Sequence, residues 1–444
     1  MLIQSIAVPP HRQAKGMGAW PEAITARSPL VTWPRVKAAW LLCGLLAMAG
    51  CGGSSTTGFS SNPSPPPPVA GLTLLSSNNG PDPGSWEALA FDGSQTVWLG
   101  VDRAGTASVG VGEYKVLNVT DERTTGDLVL SGATFTSLVQ QSGTGFVEAI
   151  GSYSAGASSG DQPAIFLLAP IQLVLRAPVI TPACPNDPMR TLLQQGAVFS
   201  GMALDGTVAY LGLQSATGPA AILVIDAASG NLDCNQDPIM VDGNPTDLPT
   251  DIKVSDSQIF VAVTSATGSN GGVEAFDKTS HQKLWTQSVS PGFQGAALVL
   301  DETNHVVYAG GTLTSHQNTW TVAKLDFASG TPQTGWPVQP IAPQALLTSD
   351  ALSAMVANSG MGGGVIAVGC VTSKGSSDPN NLQPTIIGIG PDGKTLWTVQ
   401  PSITGGLAGC LRTAGIGDNT LLVGGYSVPG PSVQQLLTAR FSVQ

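Results

Sequence analysis

The chain is short of charge. Of its 444 residues, 11% are Asp, Glu, Lys or Arg, and it has four histidines and five tyrosines. Beyond residue 51 the histidines are His281, His305 and His316, scattered along the chain with no metal-ligand spacing. Basic residues are the scarcest: five of the 18 precede Cys51, against one of the 29 acids, so the chain from Cys51 onward carries a net charge of −15. An acidic surface with no basic patch interleaved with aromatics excludes a nucleic-acid partner. The apolar run at residues 38–50 stops at 13 residues, short of the roughly 20 that a membrane-spanning helix needs. The six cysteines include no Cys-x-x-Cys-His haem attachment site. What the chain has instead is glycine (55), proline (33) and a 42% apolar fraction, the composition of a large core built from strands and many turns.

The front of the chain reads as an export signal. Arg35 and Lys37 precede the apolar run, and small residues Ala49 and Gly50 close it before Cys51. A charged region, an apolar region and a small-residue exit are the parts of a secretory leader. Translation from Met17 would give that leader a conventional length. Met48-Ala49-Gly50-Cys51 resembles the lipobox of bacterial lipoproteins. The resemblance implies cleavage before Cys51, acylation of its thiol and new amino terminus, and anchoring in membrane lipid. Gly52 where some lipoproteins carry Asp implies the outer membrane. Residues 51–70, with Pro63 and Pro65 to Pro68, read as a disordered, Pro/Ser-rich linker, extended over its proline run.

From there the chain repeats. An apolar strand ending in a small-residue pair returns seven times, marked by Gly100, Ile150, Gly212, Ala262, Gly310, Gly369 and Gly424, at spacings of 50, 62, 50, 48, 59 and 55. A strand-built period of that size predicts an all-β, seven-bladed β-propeller over residues 71–444. Each unit opens with an apolar strand and a turn, as in Ala296–Leu300 and Asp301–His305, before the marked strand. A third strand such as Trp320–Asp326 follows, then an outer one such as Lys283–Gln287. The marked strands are expected to converge as inner strands, small residues allowing neighbouring blades to approach. The last unit ends in a third strand, Gln435–Val443, with no fourth. Residues 71–76, otherwise without a partner, are expected to supply it and so close the ring.

Ala275-Phe276-Asp277-Lys278-Thr279-Ser280-His281-Gln282-Lys283-Leu284-Trp285 resembles the Ala-x-Asp-x-x-x-Gly-x-x-x-Trp signature of quinoprotein-like (PQQ-like) propeller repeats, with His281 in place of Gly. Asp326 through Gly330 to Trp336 is similar with two extra residues, and Gly393 to Trp397 keeps the second half. The marked strands also look like the short SBBP-type propeller repeats of bacterial secreted proteins. The resemblance implies a propeller in which these tryptophans pack between blades. It extends to the repeat and not to a quinone pocket, so no cofactor is implied.

Four cysteines remain beyond Cys51. An exported compartment permits disulfides, and the pairs in adjacent repeats are Cys184–Cys234 and Cys370–Cys410; buried free thiols are the alternative. Asp256, Asp301 and Glu302 fall in hairpin turns, where carboxylates bond local amides. A structural calcium ion stays open there, although no Asp-x-Asp-x-Asp-Gly run names its ligands. The function expected is that of a non-catalytic binding or scaffold lipoprotein of the bacterial envelope. It would take a protein or glycan ligand on a propeller face, through insertions near residues 153–198, 343–360 and 374–382. The alternative is a propeller enzyme acting on a glycan or small molecule in the central funnel, which would need acids or histidines converging there.

Overall fold

The computed structural model describes residues 72–443 apart from 84, 92–95, 104–110, 119–123, 132, 141–146, 154–161, 169–197, 215–219, 227–230, 233–237, 242–246, 266–270, 315–318, 340–350, 359–362, 373–381, 402–407, 418 and 431–432. The leader, Cys51 and the linker lie outside the described residues, as do Cys184, Cys234 and His316.

The described part is nearly all strand, in antiparallel sheets. Its first strand, β1 (Leu72–Pro83), stands apart from its neighbours in sequence. Seven up-and-down units follow. Unit 1 holds β2 (Ser85–Phe91), β3 (Thr96–Arg103), β4 (Val111–Asn118) and β5 (Thr124–Ser131). Unit 2 holds β6 (Ala133–Gln140), β7 (Val147–Tyr153) and β8 (Gln162–Leu168). Unit 3 holds β9 (Val198–Asp205), β10 (Val208–Gln214) and β11 (Ala221–Asp226), with short β12 (Asn231–Leu232) and β13 (Ile239–Met240) both on β11. Unit 4 holds β14 (Asp247–Val254), β15 (Gln258–Ser265), β16 (Gly272–Asp277) and β17 (Lys283–Ser288). Unit 5 holds β18 (Phe293–Asp301), β19 (Val306–Leu313) and β20 (Thr319–Asp326), and two isolated bridges, Val322 to Val338 and Leu325 to Pro332, stand in for a fourth strand. Unit 6 holds β21 (Ala351–Ala357), β22 (Val365–Thr372), β23 (Leu382–Ile389) and β24 (Thr395–Val399). Unit 7 holds β25 (Ala408–Gly417), β26 (Thr420–Gly430) and β27 (Val433–Val443), and β1 pairs along β27 from Leu72 opposite Val443 to Pro83 opposite Gln435.

The core lies between units rather than inside any one of them. Phe260, Val273 and Ala275 of unit 4 pack with Leu298, Val307 and Ala323 of unit 5. Tyr308 and Trp320 of unit 5 pack with Leu352, Ala367 and Ile387 of unit 6. The sheets of units 3 to 6 are therefore covered on both faces, which is why their second strands are apolar nearly throughout. All eight residues of β22 are buried. Burying a side chain such as Phe260 or Tyr308 contributes about 1.5–3 kcal/mol. The first strand of each unit touches the first strand of the next, from β2 through β6, β9, β14, β18 and β21 to β25, and β25 touches β2 again.

The marked strands are the second of each unit, with a ladder on either side, and the first strands hold the edge, except that β18 also pairs with β15 at Gln294 opposite Thr264, joining units 4 and 5 in one sheet. The glycines of the marked strands admit the next unit. A Cβ on Gly310 would lie 2.5 Å from Met355 Sδ in unit 6, and one on Gly424 would lie 3.0 Å from Trp86 Cβ in unit 1.

Register corrects the sixth marker. In all seven units the first strand carries one extra residue at the same place: Glu87, Thr136, Ser200, Thr250, Ala296, Ser353 and Arg412. In the other six units the bulge ends on the marked residue, as with Ala297 opposite Gly310 and Thr413 opposite Gly424. In unit 6 it ends with Ala354 opposite Val368. Val368, not Gly369, is the equivalent position, and the large residue is accommodated one step from where the small one was expected. Each bulged residue is exposed or half-buried, because the extra residue leaves the pleat that buries its neighbours.

Candidate functional site

The acids are the first place to look for chemistry. Asp251 follows the bulge of β14. One carboxylate oxygen accepts from Ile252 N–H and Lys253 Nζ, at 2.9 and 2.8 Å, and the other accepts from Leu298 N–H of unit 5 at 2.8 Å. Next to it, Thr250 Oγ1 donates to the Gly295 carbonyl at 2.8 Å, which Thr264 Oγ1 also reaches at 2.7 Å. These side chains serve backbone groups that the two bulges release from the ladder. Glu274, buried on β16, pairs with Lys283 on β17 at 3.1 Å. Lys278 of unit 4 reaches Asp205 of unit 3 at 2.8 Å.

A second set of acids closes the turns after the third strands. Asp277 Oδ1 accepts from the amides of Thr279 and Ser280 and from Ser280 Oγ. Asp326 Oδ1 makes the same three bonds to Ala328 and Ser329. The bonds from the Ser280 backbone and hydroxyl hold the Asp277 carboxyl below its ordinary value. Four residues beyond each Asp the chain turns left-handed, at His281 (φ 58°) and Gly330 (φ 67°). The signature Asp-x-x-x-Gly is thus a turn, and His281 occupies a position that glycine enters without steric cost.

The tryptophans complete the device. Trp285 Nε1 donates to the Phe327 carbonyl of unit 5 at 2.8 Å, and its ring lies on Gly330, where a Cβ would meet Trp285 Cε3 at 2.5 Å. Trp336 of unit 5 lies near Gly393 of unit 6, with Cε2 at 3.4 Å from a Cβ placed there. Each ring from an outer segment covers the left-handed glycine of the next unit's turn. Gly330→Ala therefore combines a left-handed alanine, about 1–2 kcal/mol, with overpacking against the indole, about 1–3 kcal/mol. Loss of roughly 2–5 kcal/mol in denaturant unfolding is expected; a Gly330→Ala chain as stable as the parent would remove Trp285 from this contact.

The remaining candidates are structural in what they touch. Asp301 Oδ1 accepts from Asn304 N–H at 3.1 Å and its Oδ2 from Asn304 Nδ2 at 2.8 Å, while His305 has a left-handed backbone (φ 51°) and sits edge-on to Phe327. Asp256 is exposed at the β14–β15 turn, and Glu302 at the β18–β19 turn. Burial, with Asp301 nearby, pushes Tyr308 up to about 12, and burial with Asp205 nearby raises Tyr210 in the same way. Both phenols stay protonated at neutral pH. Among the described residues no group of three His, Cys, Asp or Glu could hold a metal ion. Cys370 on β22 and Cys410 on β25 are bonded to each other, joining unit 6 to unit 7, and both are buried beside Tyr426. Cys51 and the pair Cys184 and Cys234 lie outside the described residues, as do most of the insertions at 153–198, 343–360 and 374–382.

Sequence reasoning missed the first-strand bulges. Their only trace is a polar or small residue after a buried one, as in Trp86-Glu87, Phe135-Thr136 and Leu411-Arg412. No helix among the described residues is long and apolar enough to cross a membrane. The chain matches no protein-family model and no curated protein.

Proposed function

We propose that the seven units are blades of a closed β-propeller, moored to a bacterial outer membrane by acyl chains on Cys51, and that the protein is a non-catalytic binding or scaffold module. Closure is supported by the cycle of first-strand contacts that returns from β25 to β2, and by the pairing of β1 with β27. The lipid anchor rests on the leader and on Met48-Ala49-Gly50-Cys51. The observation that carries the non-catalytic reading is the employment of six acids of units 3 to 5. Asp251 and Asp205 tie one unit to the next, Glu274 holds Lys283, and Asp277, Asp301 and Asp326 hold turns. A propeller stiffened in this way presents its insertions on a rigid frame, which suits recognition more than proton transfer.

The test is cross-linking of the native protein in its own membranes, followed by recovery under denaturing wash. A single envelope protein or glycan should be retained by the parent and lost from a variant lacking residues 374–381, with melting unchanged. The same partner retained equally by both variants would put the binding face elsewhere. Release of product from envelope glycan by the purified protein would overturn the non-catalytic reading.

A further inference from the structure

The outer strands share a second irregularity. In β17 the residue between Lys283 and Trp285 has no partner on β16, and in β24 the residue between Thr395 and Trp397 has none on β23. In β1 the residue between Leu74 and Ser76 has none on β27. In β5 the residue between Thr124 and Gly126 likewise has no partner on β4. The four extra residues are Leu284, Leu396, Leu75 and Thr125. A bulge turns its extra side chain out of the pleat, and these three leucines are 46%, 44% and 48% exposed. With Leu74 at 37%, they are four of the five large hydrophobics exposed among the described residues, and the fifth, Met240, is also on an outer strand. The equivalent bulge of β5 carries Thr125, so leucine at the other three is not demanded by the fold.

Two of the three leucine bulges meet at one junction. Trp397, beside Leu396, and Leu72, three residues before Leu75, belong to one packed cluster between units 6 and 7. Leu74, Leu75 and Leu396 therefore flank the same seam on the outer strands. The chain leading from Cys51 enters the body at this seam, through Leu72. Twenty residues separate Cys51 from Leu72, a reach of at most about 70 Å when fully extended.

We propose that this seam, bearing Leu74, Leu75 and Leu396, is the edge the protein lays against the lipid surface. The proposal rests on the reading of Cys51 as a lipid anchor. Three half-exposed leucines bind a bilayer weakly from free solution. A tether of twenty residues raises their effective concentration at the surface into the millimolar range, where weak contact is populated. Leu284 has the same bulge and exposure but lies in unit 4, away from the point of entry, and is the internal control.

A photo-cross-linking amino acid, p-benzoylphenylalanine, is placed at Leu75, Leu396, Leu284 or the exposed turn residue Asp256. Full-length protein purified from membranes is reconstituted in vesicles of phosphatidylethanolamine and phosphatidylglycerol, irradiated, and read by mass spectrometry for lipid adducts. Adducts at 75 and 396 should exceed those at 284 and 256 by about tenfold, a fraction of the roughly 10²–10⁴ that tethering adds to a weak contact. Equal yields at all four positions, or no adduct at 75 and 396, overturn the proposal. The same spectra report acylation of Cys51. A second preparation, with Cys51 replaced by a histidine tag and anchored on a nickel-chelating lipid, separates the two questions. An unacylated Cys51 ends the anchoring reading, while the adduct pattern of the tagged protein still decides the seam.

Discussion

A chain lacking residues 72–83 is expected to lose its cooperative thermal transition, or to melt more than about 10 °C below the parent, a far larger effect than a typical substitution. β1 is the first described strand, yet it completes the last unit. Its removal strips β27 of a ladder that runs from Val443 to Gln435. It also empties the place of Leu72, 3% exposed in a cluster with Phe441, Val443 and Trp397. The cavity left by one such leucine alone costs about 2–5 kcal/mol. The exposed edge of β27 adds unpaired amides and carbonyls and a template for aggregation. A synthetic peptide of residues 70–84 added in trans should restore the transition, because strand addition recovers both the ladder and the leucine. A truncated chain that melts like the parent would show that unit 7 is complete without β1 and would remove the closure from the proposed propeller.

Much of this arrangement is legible in the sequence, for physical reasons. The second strands β10, β15, β19, β22 and β26 repeat because each is buried on both faces, so residues 306–311 of β19 and 421–426 of β26 read as unbroken apolar runs. Turn chemistry marked the hairpins, as at Asp301–His305 between β18 and β19. The signature around Asp277 was visible because one carboxylate, one left-handed residue and one indole perform a single local task. Less local features were hidden. The bulges of the first strands depend on which residue of the partner strand lies opposite, and no pattern within a single strand reports that. The same ignorance of register displaced the sixth marker from Val368 to Gly369. The turn positions of Asp256, Asp301 and Glu302 are legible, but nothing local marks Asp251, which acts across a junction on an amide 47 positions away.

Breaking the bridge between Cys370 and Cys410 should cost about 4 kcal/mol, the chain-entropy value for a closed loop of this length. The two residues are 40 apart in sequence and 4.8 Å apart at Cα. Over a body of this size the cost corresponds to about 5 °C in melting temperature. The bridge and β1 secure opposite edges of the same unit: Cys410 lies in β25 at one side, and β27 receives β1 at the other. Their effects should therefore couple. A Cys370→Ala, Cys410→Ala chain remains folded because β1 still holds the far edge, but it becomes more sensitive to Leu72→Ala than the bridged parent is. A double-mutant cycle measured by denaturant unfolding reads this coupling. Burial adds a kinetic expectation: with Cys370 and Cys410 2% and 1% exposed, dithiothreitol should reduce the bridge only as fast as unit 7 opens. Reduction of the native protein at the rate of an exposed disulfide, with no change in melting, would mean that the bridge does not clasp the closing unit. Strict additivity with Leu72→Ala would mean that the two edges of unit 7 hold independently.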